Sequence, residues 1–257
     1  MHLFLLGSIP VVTLLTAAVA SVLCGFSPTW RHPIAWRWAR RPPTGKVIRL
    51  FGASVVHGRL GHDWAADVER ALGDDASVIN HGINGLRAAQ VASGIPRPIA
   101  ADLAVVMVGV NDVRAGTPIE DYRASLNLIV DRLEPATVAL STLTCIGDDP
   151  AAHAQSAYNR VIREVAAARG CECLDVAAAQ SEQLREASPR AARQPGMYPL
   201  LVSACFQHYC LRADWDTVSA RHGLILTTDT VHPNRVGASR ITELVTAFAR
   251  RHAVTDR

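Results

Sequence analysis

The 257-residue chain has few cysteines, almost no charge imbalance and, near its start, a long stretch with no charge at all. Six cysteines are too few for a disulfide scaffold at this length. Lys and Arg number 26 against 23 Asp and Glu, a formal net charge of +3, and so small an excess gives no basis for nucleic-acid binding. No G-x-x-x-x-G-K-S/T occurs and no G-x-G-x-x-G opens a helix, which argues against a phosphate-cradling loop. Internal repeats and low-complexity tracts are also missing. What remains is 49% hydrophobic and 19% charged, too apolar for a disordered chain and long enough for one sizeable core.

Mean hydropathy is +0.13, and the N-terminus is its source. Residues 3–26 (LFLLGSIPVVTLLTAAVASVLCGF) contain no Asp, Glu, Lys or Arg. As a helix they would reach roughly 36 Å, enough for a hydrocarbon core of about 30 Å. Only His2 and the α-amino group precede the run, whereas a secretory signal opens on positive charge. An uncleaved anchor over residues 1–29 is therefore expected. Arg31, Arg37, Arg40, Arg41, Lys46 and Arg49 follow it, with Trp30, Trp36 and Trp38 among them. The positive-inside bias then places the rest of the chain in the cytoplasm; a segment acting as a signal would place it outside. Residues 30–45 read as a basic Trp/Pro linker, and residues 46–254 as the folded domain.

Within the domain, apolar runs alternate with helical spacing. Strands are expected at 47–51, 77–80, 103–108, 137–143 and 173–176, and helices at 63–72, 118–133, 151–168 and 236–251. The run LAVVMV at 103–108 has the composition of a central strand buried on both faces. Such alternation implies a mostly parallel sheet with helices on both faces. Residues 188–223 fit no clean period.

Open parallel sheets bind ligands at the carboxyl ends of their strands. Three polar blocks fall there and a fourth lies near the C-terminus. Ser54, in Gly52-Ala53-Ser54-Val55-Val56-His57-Gly58, is either a nucleophile on a strand-to-helix turn or a plain helix cap. Asn80-His81-Gly82-Ile83-Asn84-Gly85 is either a close backbone approach to a ligand or an ordinary turn. Asn111, in Gly109-Val110-Asn111-Asp112, either aims its amide at a developing oxyanion or closes an Asx-turn. Asp229, three residues before His232, either orients that ring as a base or caps a helix.

In this order the four blocks resemble those of the SGNH hydrolases, the GDSL esterase/lipase superfamily. Gly52, Ser54 and Gly58 match G-D-S-x-x-x-G; Asn80 and Gly85 match N-x-x-x-x-G; Gly109, Asn111 and Asp112 complete G-x-N-D; Asp229, His232 and Pro233 complete D-x-x-H-P. The resemblance implies a three-layer α/β/α flavodoxin-like fold and an esterase that needs no cofactor or metal. Ser54 would be the nucleophile, His232 its base and Asp229 the orienter. The backbone N–H groups of Ser54 and Gly85 and the side chain of Asn111 would form the oxyanion hole. Substrates would be carboxylic esters, with thioesters, lipid esters or acetylated sugars among them. One position departs from the family: Ala53 stands where it has Asp. That Asp is not the triad acid, but its loss can loosen the turn around the serine, so an impaired binding protein is an alternative. An acyltransferase on the same triad is another.

His57 and Asp112 lie close to these blocks and are expected to be structural. Cys171-x-Cys173 is too tight for a zinc pair. Cys205 and Cys210 can pair only outside a reducing compartment. Met197, Tyr198, Leu200, Leu201, Val202, Phe206 and Tyr209 either wall an acyl pocket, rest on the bilayer or pack on the core.

Overall fold

Five short runs form one parallel sheet in the computed structural model, which describes residues 45–96, 99–147, 153–187 and 197–253 together with Thr16, Val19 and Ala20. They are β1 (Lys46–Gly52), β2 (Ala76–Asn80), β3 (Leu103–Met107), β4 (Thr137–Ser141) and β5 (Glu172–Leu174). The order is β2-β1-β3-β4-β5, and every neighbouring pair is parallel. Ten helices are described: α1 (Ser54–His57), α2 (Trp64–Leu72), α3 (Ala88–Gly94), α4 (Val110–Ala115), α5 (Ile119–Leu133), α6 (His153–Arg169), α7 (Val176–Glu186), α8 (Met197–Cys205), α9 (Trp215–Arg221) and α10 (Arg235–Ala253). A π-helical turn, Phe206–Cys210, links α8 towards α9.

The three layers follow from side-chain alternation. In β3 all five residues are buried. Leu103, Val105 and Met107 point into one core, with Trp64, Val68 and Leu72 of α2 and Ile241, Val245 and Phe248 of α10. Ala104 and Val106 point into the other, with Val91 of α3, Leu126, Ile129 and Leu133 of α5, and Val161, Ile162 and Val165 of α6. A strand covered on both sides has no polar face, so the run reads as continuously apolar.

Several expected boundaries shift. The fifth strand was expected through Val176, but it ends at Leu174 because Asp175 caps α7, accepting from the Ala178 N–H at 3.2 Å. The fourth strand ends at Ser141 rather than 143. Residues 197–221 contain α8 and α9, which show no clean period because α8 is apolar on nearly every side.

Among the described residues no helix is long and apolar enough to cross a membrane. The anchor expected over residues 1–29 and most of the linker over 30–45 lie outside the described residues, apart from Thr16, Val19, Ala20 and Gly45.

The order 2-1-3-4-5 has its topological switch between β1 and β3, where the chain first leaves towards β2 and later returns on the other side. Ligand crevices of open α/β sheets form at such a point. Ser54 follows β1 and Asn111 follows β3.

Candidate active site

β1 ends on Gly52, whose Cα faces the neighbouring strand so closely that a Cβ there would lie 2.1 Å from the Met107 carbonyl oxygen. The chain then turns sharply into α1. Ala53 precedes the helix and makes no side-chain cap. Ser54 is the first helical residue, so its side chain is not a cap either. The Ser54 Oγ instead lies 2.8 Å from Nε2 of His232.

His232 reaches that position through a loop held from many sides. Asp229 Oδ2 lies 2.7 Å from the ring's Nδ1, and Oδ1 accepts from the N–H groups of Val231 (3.1 Å) and His232 (2.9 Å). Both residues are buried. Thr230 between them has φ 82, a left-handed conformation rare for a branched residue. Its carbonyl accepts from the Gly147 N–H at 2.6 Å, and the Thr228 N–H donates to the His232 carbonyl at 2.8 Å. Strain of this kind persists where surrounding contacts over-determine the backbone. Helix capping, the alternative role for Asp229, falls to Asn234, whose Oδ1 accepts from the Gly237 N–H at 2.9 Å.

The Asp229 carboxylate can only accept, so Nδ1 carries the ring proton and Nε2 offers a lone pair to the Ser54 hydroxyl. That is the tautomer a base needs.

Two further strand ends complete the surroundings. Gly109 begins the third block at φ 137, and a Cβ there would lie 2.5 Å from the Tyr122 hydroxyl, which donates to the Val108 carbonyl at 2.7 Å. Asn111, on α4, donates from Nδ2 to the Leu86 carbonyl at 3.0 Å. An amide carries two N–H bonds, so the second is available for an oxyanion. Gly85, with φ 80, lies beside it in the loop before α3. Asp112 does not face the reaction site. It is buried and accepts from the Ala88 N–H at 3.0 Å, tying the Gly85 loop to α4. Burial pushes its pKa up against that hydrogen bond.

Ser54, Gly85, Asn111 and His232 share one cleft of about 470 Å³. Its walls are Leu60, Met197, Tyr198 and Leu201, with Arg87, Arg114 and Ala115. All the residues expected at the site therefore meet, across 178 positions between Ser54 and His232. His57 ends α1 and does not line this cleft. Of the apolar residues at 197–209, Met197, Tyr198 and Leu201 do, while Leu200 is buried and Tyr209 lines a neighbouring cleft with Trp215. Cys205 is buried, Cys210 exposed, and no disulfide joins them. Cys171 and Cys173 pack against the second core.

Trp64, Asn80, Arg87 and Arg114 were not singled out by sequence for the roles they hold. Trp64 Nε1 donates to the Val55 carbonyl at 2.8 Å, and Asn80 Nδ2 to the Val56 carbonyl at 2.6 Å. Asn80 Oδ1 also accepts from the Gly82 N–H at 2.8 Å. Together they pin α1 from two directions, where Ala53 offers no side chain to do so. The signal for Asn80 was its place in the second block; the arginines each follow a block by two positions.

A model of the GDSL-like lipase/acylhydrolase family matches residues 50–240, most of the chain. The chain belongs to this family. As a GDSL-like protein it is a carboxylic ester hydrolase. Solved structures share its fold at low identity. An acetylxylan esterase from Geobacillus stearothermophilus is 18% identical, with a TM-score of 0.56 over 83% of this chain and 98% of that one. A lipase/acylhydrolase from Enterococcus faecalis is 18% identical, with a TM-score of 0.56 over 80% and 96%. A hydrolase from the metagenome of Lake Arreo, Spain, is 17% identical, with a TM-score of 0.58 over 84% and 99%. No curated protein matches the chain.

Proposed function

We propose that the protein is a membrane-tethered serine esterase working through an acyl-enzyme on Ser54, His232 and Asp229. The observation that carries this is the continuous chain of hydrogen bonds from Asp229 Oδ2 through His232 to Ser54 Oγ, at 2.7 and 2.8 Å. Ser54 Oγ attacks the ester carbonyl carbon while its proton passes to His232 Nε2. The carbonyl oxygen becomes an oxyanion, met by the N–H groups of Ser54 and Gly85 and the free amide hydrogen of Asn111. Collapse breaks the C–O bond, and Nε2 returns the proton to the departing alcohol. Water then attacks the acyl-Ser54, again giving its proton to Nε2, and the acid leaves as Ser54 Oγ regains it. Asp229 keeps the ring oriented and stabilises its charge.

The anchoring of α1 by Trp64 and Asn80 favours a working site over an impaired binding protein, because it replaces what Ala53 cannot supply. The deciding assay is hydrolysis of p-nitrophenyl acetate and longer p-nitrophenyl esters beside Ser54→Ala, with labelling by a serine-directed fluorophosphonate. Ser54-dependent turnover and labelling are expected. Equal background in both proteins and no labelling of folded wild type would overturn the reading.

Residues 3–26 supply the tether, and the basic residues after them favour a cytoplasmic domain. The full chain should stay with membranes through carbonate extraction, and a chain starting at residue 46 should not. Cys210 is exposed, so a membrane-impermeant maleimide reports its side. Labelling in intact cells would place the domain outside.

A further inference from the structure

The cleft over Ser54 holds two arginines that ester hydrolysis does not use. Arg87 stands just before α3 and Arg114 on α4, both exposed. Both line the cleft with Ser54 and His232, and no Asp or Glu lines it with them. Among the described residues neither makes an ion pair, whereas Arg70, Arg123, Arg163, Arg169, Arg240 and Arg251 each meet a carboxylate. Arg114 is positioned by neutral groups. Its Nη1 donates to Met197 Sδ at 3.0 Å, and its guanidinium lies 5.1 Å from the centre of the Tyr198 ring. Such contacts orient a guanidinium without neutralising it. The Asp112 carboxylate feels the charge of Arg87, but it is buried and committed to the Ala88 N–H. Leu60, Met197 and Leu201, which line the same cleft, are apolar.

We infer that the ester hydrolysed here carries an anionic group, a carboxylate or a phosphate, which Arg87 and Arg114 bind at the rim while an apolar chain lies against Leu60, Met197 and Leu201. This rests on the reading of Ser54 and His232 as the hydrolytic pair. A guanidinium binds oxyanions through paired, charge-assisted hydrogen bonds, and a neutral sugar acetate would leave both charges unanswered.

Two matched pairs test it on the full chain. Mono-p-nitrophenyl succinate against p-nitrophenyl butyrate puts a carboxylate on the acyl side. Lysophosphatidic acid against the monoacylglycerol of the same chain puts a phosphate on the alcohol side. The anionic member of one pair should have a kcat/KM higher by about 10-fold, a preference that weakens with salt. In the double variant Arg87→Gln/Arg114→Gln the ratio should fall towards one, with partial retention in Arg87→Lys/Arg114→Lys. The responding pair identifies the source of the anion. A ratio at or below one in both pairs, or one unchanged by the double variant, overturns the inference while Ser54-dependent hydrolysis of the neutral esters still stands. Calorimetric binding of monobutyl succinate and dodecyl phosphate to folded Ser54→Ala needs no turnover. Binding lost on adding the two Gln substitutions supports the arginines even if the hydrolytic assignment fails, and no binding of either probe counts against them.

Discussion

Asp229 and His232 are buried, and both carboxylate oxygens and both ring nitrogens are in hydrogen bonds; Tyr198, which lines the same cleft as His232, is 65% exposed. The first region is a loop pinned by the Gly147 N–H on the Thr230 carbonyl and by the Thr228 N–H on the His232 carbonyl. The second is α8, joined to α9 by a π-helical turn and packed by small clusters around Leu201, Cys205 and Trp215. The contrast separates two demands. The proton transfer proposed above needs atoms held within a few tenths of an ångström, and the Asp229 and His232 side chains are held by every polar atom they have. A wall that receives a chain needs only apolar area, and it tolerates variation.

The largest effect is expected of Asp229→Asn. The new Oδ1 can still accept from Val231 and His232, so the fold should survive. The amide would face Nδ1, reverse the tautomer and leave Nε2 without its lone pair. A loss of about 10⁴ in kcat for p-nitrophenyl acetate is expected, with an unchanged circular dichroism spectrum. A loss below tenfold would mean His232 is not oriented by Asp229. Next in size is Phe248→Ala, which empties a fully buried ring site beneath the sheet and should cost about 3–5 kcal/mol in urea unfolding. Trp64→Phe removes the donor to the Val55 carbonyl. It should cost about 2 kcal/mol of stability and lower kcat roughly tenfold, since α1 carries Ser54. If kcat is unaffected, Trp64 is not what replaces the missing support at Ala53.

Asp175 gives a smaller, pH-dependent effect. Burial pushes its pKa up, but the Arg163 guanidinium, the Ala178 N–H and the Thr142 hydroxyl outweigh it and hold the carboxyl below its ordinary value. A depressed carboxylate stabilises the fold above its unfolded pKa of about 3.9, and that contribution is lost as pH falls through the lower folded value. Asp175→Ala should therefore cost about 1 kcal/mol at neutral pH, chiefly as a lost helix cap, and the gap to wild type should close under acid. Tyr198→Ala should change stability least, within about 0.5 kcal/mol. It should shift the acyl-length profile, and an unaltered profile would remove α8 from the substrate wall.

The legible parts were those written in local chemistry. The strands and the longer helices could be read because their apolar residues repeat with the period of the element. Asp229 and His232 could be paired because three positions of chain separate them. Val176 was misplaced because Asp175 can end a strand run or start a helix, and the choice lies with Arg163 and Thr142 far along the chain. The short helices α3 and α4 were missed since six or seven residues carry too little period to register. The 197–221 segment was opaque for the opposite reason, an apolar helix without a polar face.

The fold class, the four blocks and the order in which strands deliver them are written locally, because side-chain alternation and glycine conformation are properties of neighbouring residues. The meeting of the serine hydroxyl and the histidine ring at 2.8 Å, the hold of Trp64 and Asn80 on α1, and the acid-free cleft shared by Arg87 and Arg114 arise only when the chain is folded. Those are distances between strand ends, set by how the sheet twists and packs, and no local pattern encodes them.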